Sequence, residues 1–115
     1  MMRHPKFSTH VLDEADRTRD QRLEAERASV LEAVVHALRS EGLRLGLTEA
    51  WVVGSLARSG EWTESSDVDV AVSGADPLEI MKLLEGVAGR TVDVVDLGRH
   101  PEPDMFRRRG ERVVG

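Results

Sequence analysis

Cysteine is absent from this sequence, so disulfides and thiolate metal sites are excluded, and a cytoplasmic setting fits. No apolar run is long enough to span a bilayer. The N-terminus lacks the apolar core of a secretory leader, because Met1–Lys6 lead straight into a charged run. A surplus of positive charge is missing too. The net charge of −5 argues against a general nucleic-acid surface, which needs clustered Lys and Arg, but it leaves room for one nucleotide held with metal ions. What is present is 115 residues, 40% hydrophobic and 32% charged, a balance that suits one soluble globular domain.

Residues 1–10 read as a flexible start and 11–115 as a single domain. Val11–Arg39 lacks Gly and Pro and is rich in Glu, Arg, Ala and Leu, which predicts one long helix within 11–42. Leu23, Val30, Leu31, Val34, Val35 and Leu38 recur near helical spacing, so its second half is the amphipathic part. The first half is dense in both signs. Asp13/Arg17 and Arg22/Glu26 sit four apart as weak helical ion pairs. This stretch reads as a solvated face or, alternatively, as an arm that docks on a partner protein.

A sheet region follows over 49–97. Trp51–Val53, Val68–Val72 and Thr91–Leu97 are short β-branched runs and predict strands. Asp76-Pro77 opens a helix through Ala88, with Leu78, Met81, Leu84 and Val87 at helical spacing. Over 101–115, Pro101 and Pro103 open a short helix to about Arg109, and Arg112–Val114 reads as a small closing strand. The predicted class is α/β of the α+β kind: a long N-terminal helix and a mixed sheet flanked by helices.

The chemistry concentrates in Trp51–Val72, W-V-V-G-S-L-A-R-S-G-E-W-T-E-S-S-D-V-D-V-A-V. Gly54-Ser55 falls where the first strand ends, and Ser55 is a good N-cap type for a short helix over Leu56-Ala57-Arg58. Unpaired N–H groups at such a turn form an anion site. Asp67 and Asp69 are two apart, which on a strand puts both on one face and Val68, Val70 and Val72 on the other. Carboxylates packed in this way repel unless protons or cations intervene, and hard divalent cations such as Mg2+, shared with substrate phosphates, are the usual answer.

Gly-Ser, a polar loop and Asp-x-Asp together resemble the signature of the nucleotidyltransferase superfamily related to DNA polymerase β. Here Gly54-Ser55 and Asp67-x-Asp69 fill it. The longer string resembles the minimal nucleotidyltransferases (MNT), small antitoxin partners of HEPN toxins. Eleven residues, Leu56–Ser66, separate Ser55 from Asp67, one more than the commonest spacing, and Ser59 stands where an Arg-Gly pair is usual. The resemblance implies a polymerase-β-like palm over essentially the whole chain. It also implies a third acid on a neighbouring strand, for which Asp93 and Asp96 are the candidates. If Val92 and Val94 join the core, Asp93 falls on the face of Asp67 and Asp69. Motifs of the type V-D-hydrophobic-V align on Val92-Asp93-Val94-Val95, which also favours Asp93.

The implied activity is transfer of AMP from ATP, with two Mg2+ ions, to a tyrosine hydroxyl of a HEPN toxin. Asp67, Asp69 and Asp93 are the expected metal-binding and catalytic residues. Gly54, Ser55, Arg58 and Ser66 are the expected nucleotide contacts. A homo- or hetero-oligomer is compatible with this reading. The rivals are an inactive palm-fold module that neutralises a partner by contact, and a small-molecule nucleotidyltransferase of the aminoglycoside-modifying kind. Arg58 can reach a phosphate or pair with Glu61 or Glu64. Trp62 can stack on a base or pack as part of a lid. Trp51 is expected in the core. Arg107-Arg108-Arg109 suits a helix C-terminus, with phosphate or partner contact as the other reading. The four histidines show no metal-ligand spacing.

Overall fold

The computed structural model describes residues 5–115, with side chains from Glu14 onward. Helix α1 (Pro5–Ala37) is 33 residues, about 50 Å, long and ends in a single π turn, Leu38–Gly42. The chain then forms β1 (Glu49–Val53), a 3-10 turn (Gly54–Ala57), β2 (Val68–Ser73), α2 (Pro77–Ala88), β3 (Val92–Asp96), α3 (Pro103–Arg109) and β4 (Glu111–Val114). The expected flexible start covers residues 1–10. Residues 1–4 lie outside the described residues, and α1 already runs from Pro5. Among the described residues no helix is long and apolar enough to cross a membrane.

The strands form one mixed sheet in the order β3-β2-β1-β4. β1 runs antiparallel to both β2 and β4, whereas β2 and β3 are parallel. Parallel neighbours need a crossover, and α2 supplies it. Its limits are set by side-chain and backbone chemistry at both ends. The Asp76 carboxylate accepts the Leu78 N–H at 2.9 Å, and Gly89 closes the helix in the left-handed region at φ +65°.

Strand alternation sorts the side chains between two faces. Ala50, Val52, Val68, Val70, Val72 and Val92 join Leu23 and Val34 of α1, Leu38 of the π turn, and Ile80 and Leu84 of α2 in one buried core. The other face carries Glu49, Trp51, Val53, Asp69, Ala71 and Asp93, as the pairings Val53↔Asp69, Trp51↔Ala71 and Asp69↔Asp93 require. Trp51 is thus not a core residue. It alternates with Val52 onto the open face, half-buried, and its indole N–H donates to Glu49 at 2.7 Å.

The apolar stripe expected on α2 holds at Leu84, and in part at Met81, but is corrected at Leu78 and Val87. Ile80 and Leu84, four apart, are its buried residues, while Leu78 and Val87 stand 52% and 45% exposed. Ile80 lies about 160° around the helix axis from Leu78, and contact with β3 and α1 selects the side of Ile80 and Leu84.

Candidate functional site

At the end of β1 the chain turns through Gly54, which has φ +70°. Glycine adopts this conformation without steric cost. Space demands it as well, because a Cβ here would lie 2.7 Å from Asp69 Oδ2. The backbone of the turn therefore rests directly against that carboxylate. Because left-handed Gly54 itself opens the 3-10 turn, Ser55 lies inside it and not at its cap. Val53 holds the cap position, without a side-chain hydrogen bond. The Ser55 carbonyl accepts the Arg58 N–H at 3.2 Å.

Asp69 and Asp93 are partners in the parallel register, so their side chains leave the same face of strands about 4.8 Å apart. Asp67 is exposed and lies one residue before β2, whose first residue, Val68, donates its N–H to the Thr91 carbonyl at 2.9 Å. The two acids of the Asp-x-Asp pair thus do not share a strand. Asp67 stands at its entrance, still close enough to act on Asp69. Burial foremost, then the charges of Asp93 and Asp67, push the Asp69 carboxyl above its ordinary value. Among the described residues no three acidic or imidazole groups are gathered into a ready-made metal cage. Asp96 does a different job at the end of β3, where its carboxylate accepts the Gly98 N–H at 3.0 Å.

A second carboxylate on the same sheet face has the opposite surroundings. Glu49 accepts from Arg107 Nε at 2.7 Å and Nη2 at 3.0 Å, and from the Trp51 indole. The Arg107 hydrogen bond, foremost, holds its carboxyl below the ordinary value. Arg107 also donates to Asp104 at 2.8 Å, so this arginine pins α3 to β1.

The loop between the turn and β2 is fastened to α1, which sequence periodicity did not reveal. Arg19 and Arg22 both donate to Glu64, at 3.2 and 3.3 Å. Arg27, held by Glu24, donates to the buried Leu56 carbonyl at 2.8 Å. Glu26 accepts from the Trp62 indole at 3.0 Å and from Arg90. Arg90 further donates to the Thr63 and Ser66 carbonyls, at 3.2 and 2.7 Å, and lies 4.5 Å over the Trp62 ring. Arg22 and Glu26 therefore pair across the fold and not with each other, because the loop offers each a better partner. The Asp13/Arg17 pair lies outside the described side chains. Trp62 is buried by this packing. Ser66 is also engaged, with its hydroxyl accepting the Thr63 N–H at 2.8 Å. Arg58 is exposed and 3.5 Å from Glu61. Arg27 has a local partner in Glu24, but its contact with Leu56 and all those of Arg90 carry no local sequence signal, since these partners lie 24 to 64 residues away along the chain.

The model of the nucleotidyltransferase domain family matches residues 31–112. No curated protein matches the sequence. Among solved structures, one described as a minimal nucleotidyltransferase is 30% identical, with a TM-score of 0.58 over 70% of this chain and 89% of that one. A toxin–antitoxin structure with AMP-PNP is 23% identical, with a TM-score of 0.58 over 74% and 73% of the two chains. A structure of tri-AMPylated Shewanella oneidensis HEPN toxin in complex with MNT antitoxin gives 21% identity and a TM-score of 0.53 over 77% and 72%. At these identities the last two share the fold.

Proposed function

The chain belongs to the nucleotidyltransferase domain family, and from that premise we propose that it transfers AMP from ATP to a hydroxyl of a second protein. The observation that carries this reading is the contact of Gly54 with Asp69, itself paired with Asp93: a glycine turn pressed against acids that repel each other, with no cationic partner for Asp69 among the described residues. The hard oxygens of Asp67, Asp69 and Asp93 fit Mg2+, which binds through a few carboxylates together with substrate phosphates in preference to an all-protein cage. When bound, Mg2+ neutralises phosphate charge. Gly54 and Ser55 seat the phosphates beside Asp69, with Arg58 and Ser66 as further contacts. The acceptor oxygen forms a bond to the α-phosphorus. The bond from that phosphorus to the bridging oxygen breaks, and pyrophosphate leaves with its electron pair. Asp93 takes the acceptor proton. Most of the rate enhancement comes from positioning and charge.

A HEPN toxin is the proposed acceptor, modified on tyrosine, with this chain as its antitoxin. Support comes from the similar structures, one described with AMP-PNP and one with a tri-AMPylated HEPN toxin. These 115 residues contain no tyrosine, so a tyrosine acceptor lies outside them. The test is incubation of wild type and Asp67→Asn with α-labelled ATP, Mg2+ and a HEPN protein encoded beside it. Label on the HEPN protein that vanishes in the variant is expected. Binding and inhibition by both forms without label would replace this reading with a contact antitoxin. Label on an aminoglycoside alone would make the chain a small-molecule enzyme.

A further inference from the structure

Next to the Gly54 turn lies a cleft of about 190 Å3 lined by Val53, Gly54, Arg58, Met105, Phe106 and Arg109. It is smaller than the roughly 300 Å3 at which pockets begin to hold a whole drug-sized ligand, so it suits part of one. Two of its six lining residues are cations, in a chain of net charge −5. Among the described residues Arg109 has no carboxylate partner, whereas Arg107 is taken up by Glu49 and Asp104. Among the described residues the Arg58 side chain has the exposed 3.5 Å contact with Glu61 alone, and such surface pairs hold little.

The fold builds this cleft deliberately. A Cβ on Gly110 would lie 2.7 Å from Val53 Cγ1 and 2.9 Å from the Val52 carbonyl, so the end of α3 sits hard against the end of β1. The Gly110 N–H closes the helix on the Phe106 carbonyl at 2.8 Å. Phe106 is in turn braced edge-on by His100, 4.8 Å between centroids. Arg109 is thereby delivered to the mouth of the Gly54 turn by tight backbone packing and not by a charge partner.

We propose that Arg109, together with Arg58, binds the β- and γ-phosphates of the nucleoside triphosphate in this cleft. The proposal rests on the nucleotidyltransferase reading. In the sheet order the acids of β3 and β2 lie to one side of β1, whose end carries Gly54, and β4, into which α3 leads, lies to the other. A triphosphate laid along the turn has its α-phosphate at the acids and its terminal phosphates at the two guanidinium groups. Planar guanidinium forks match phosphate oxygens and supply the counter-charge that three aspartates cannot.

The test is calorimetric titration of ATP and, separately, AMP into the full chain with Mg2+, for wild type, Arg109→Ala, Arg109→Lys and Arg108→Ala. Arg109→Ala is expected to weaken ATP binding by about 10- to 100-fold, the range for losing a charge-assisted hydrogen bond. AMP binding should change less than about twofold on the same grounds, since AMP has no terminal phosphates. Arg109→Lys should recover part of the ATP loss, and Arg108→Ala, outside the cleft, should change neither. Equal weakening of ATP and AMP would overturn the proposal, as would unchanged ATP binding. If Arg109→Ala keeps ATP affinity but loses labelling of the protein acceptor, Arg109 docks the acceptor instead. Wild type that binds no ATP would overturn the nucleotidyltransferase reading and this proposal with it.

Discussion

Glu49 and Asp69 stand on the same face of the same sheet, yet their surroundings are opposite. Glu49 has two guanidinium hydrogen bonds and an indole donor, and its carboxyl lies below the ordinary value. Asp69 has burial, two neighbouring acids and no side-chain cation among the described residues, and its carboxyl lies above. The difference separates a carboxylate that the fold uses from one that the fold merely holds. Glu49 ties α3 to β1 and is complete as it stands. Asp69 becomes favourable only when something positive arrives, which is the physical sense in which it is a site.

The comparison breaks most visibly in activity. Asp69→Asn is expected to reduce transfer by at least about 100-fold, the scale for removing one preorganised electrostatic contact. The folded state should not suffer. With one of three repelling charges gone, the melting temperature at pH 7 should equal or exceed that of wild type by circular dichroism. A cooperative fold lost in this variant would mean that Asp69 is structural after all.

Arg90→Ala gives the next largest effect. It removes donors to the Thr63 and Ser66 carbonyls and the cover over Trp62, and should cost about 1–3 kcal/mol in urea unfolding. Proteolysis should then cut first within the loop before Asp67. Glu49→Gln has the smallest effect and sharpens the comparison through pH. A carboxyl lowered by its partner stabilises fully above the unfolded value of 4.5, and this stability is lost as pH falls through the lowered folded value. The variant should therefore melt a few degrees below wild type at pH 7, with the gap closing in acid. A gap independent of pH would assign the loss to packing.

Much of this arrangement is legible in the sequence where the information is local. Asp76-Pro77 and Gly89 mark α2 because caps are chosen by backbone chemistry at single positions. Counting residues along β3 puts Asp93 opposite Val92 and Val94, and the register sets it beside Asp69. What was not legible depends on contacts far apart in the chain. Nothing near Trp51 says that it alternates to the open face beneath Arg112 and beside Glu49. Periodicity on α2 includes Leu78 and Val87 with Leu84, and only its neighbours choose Ile80 in their place. The charged half of α1 reads as solvated because its partners, Leu56, Trp62 and Glu64, come 29 to 45 residues later.

The ladder between β1 and β2 has a consequence for how this chain tolerates length changes. Val53↔Asp69 fixes where Asp69 lies, whatever number of residues lies between them. The extra residue before Asp67 is therefore harmless to the parity of the strand, whereas an insertion within Trp62–Ser66 would disturb the contacts to α1 and Arg90 without changing which face Asp69 occupies. A single residue inserted within β3 before Asp93 is a different kind of change. It would exchange inside for outside, presenting a valine to Asp69 and driving an acid into the hydrocarbon layer beneath α2.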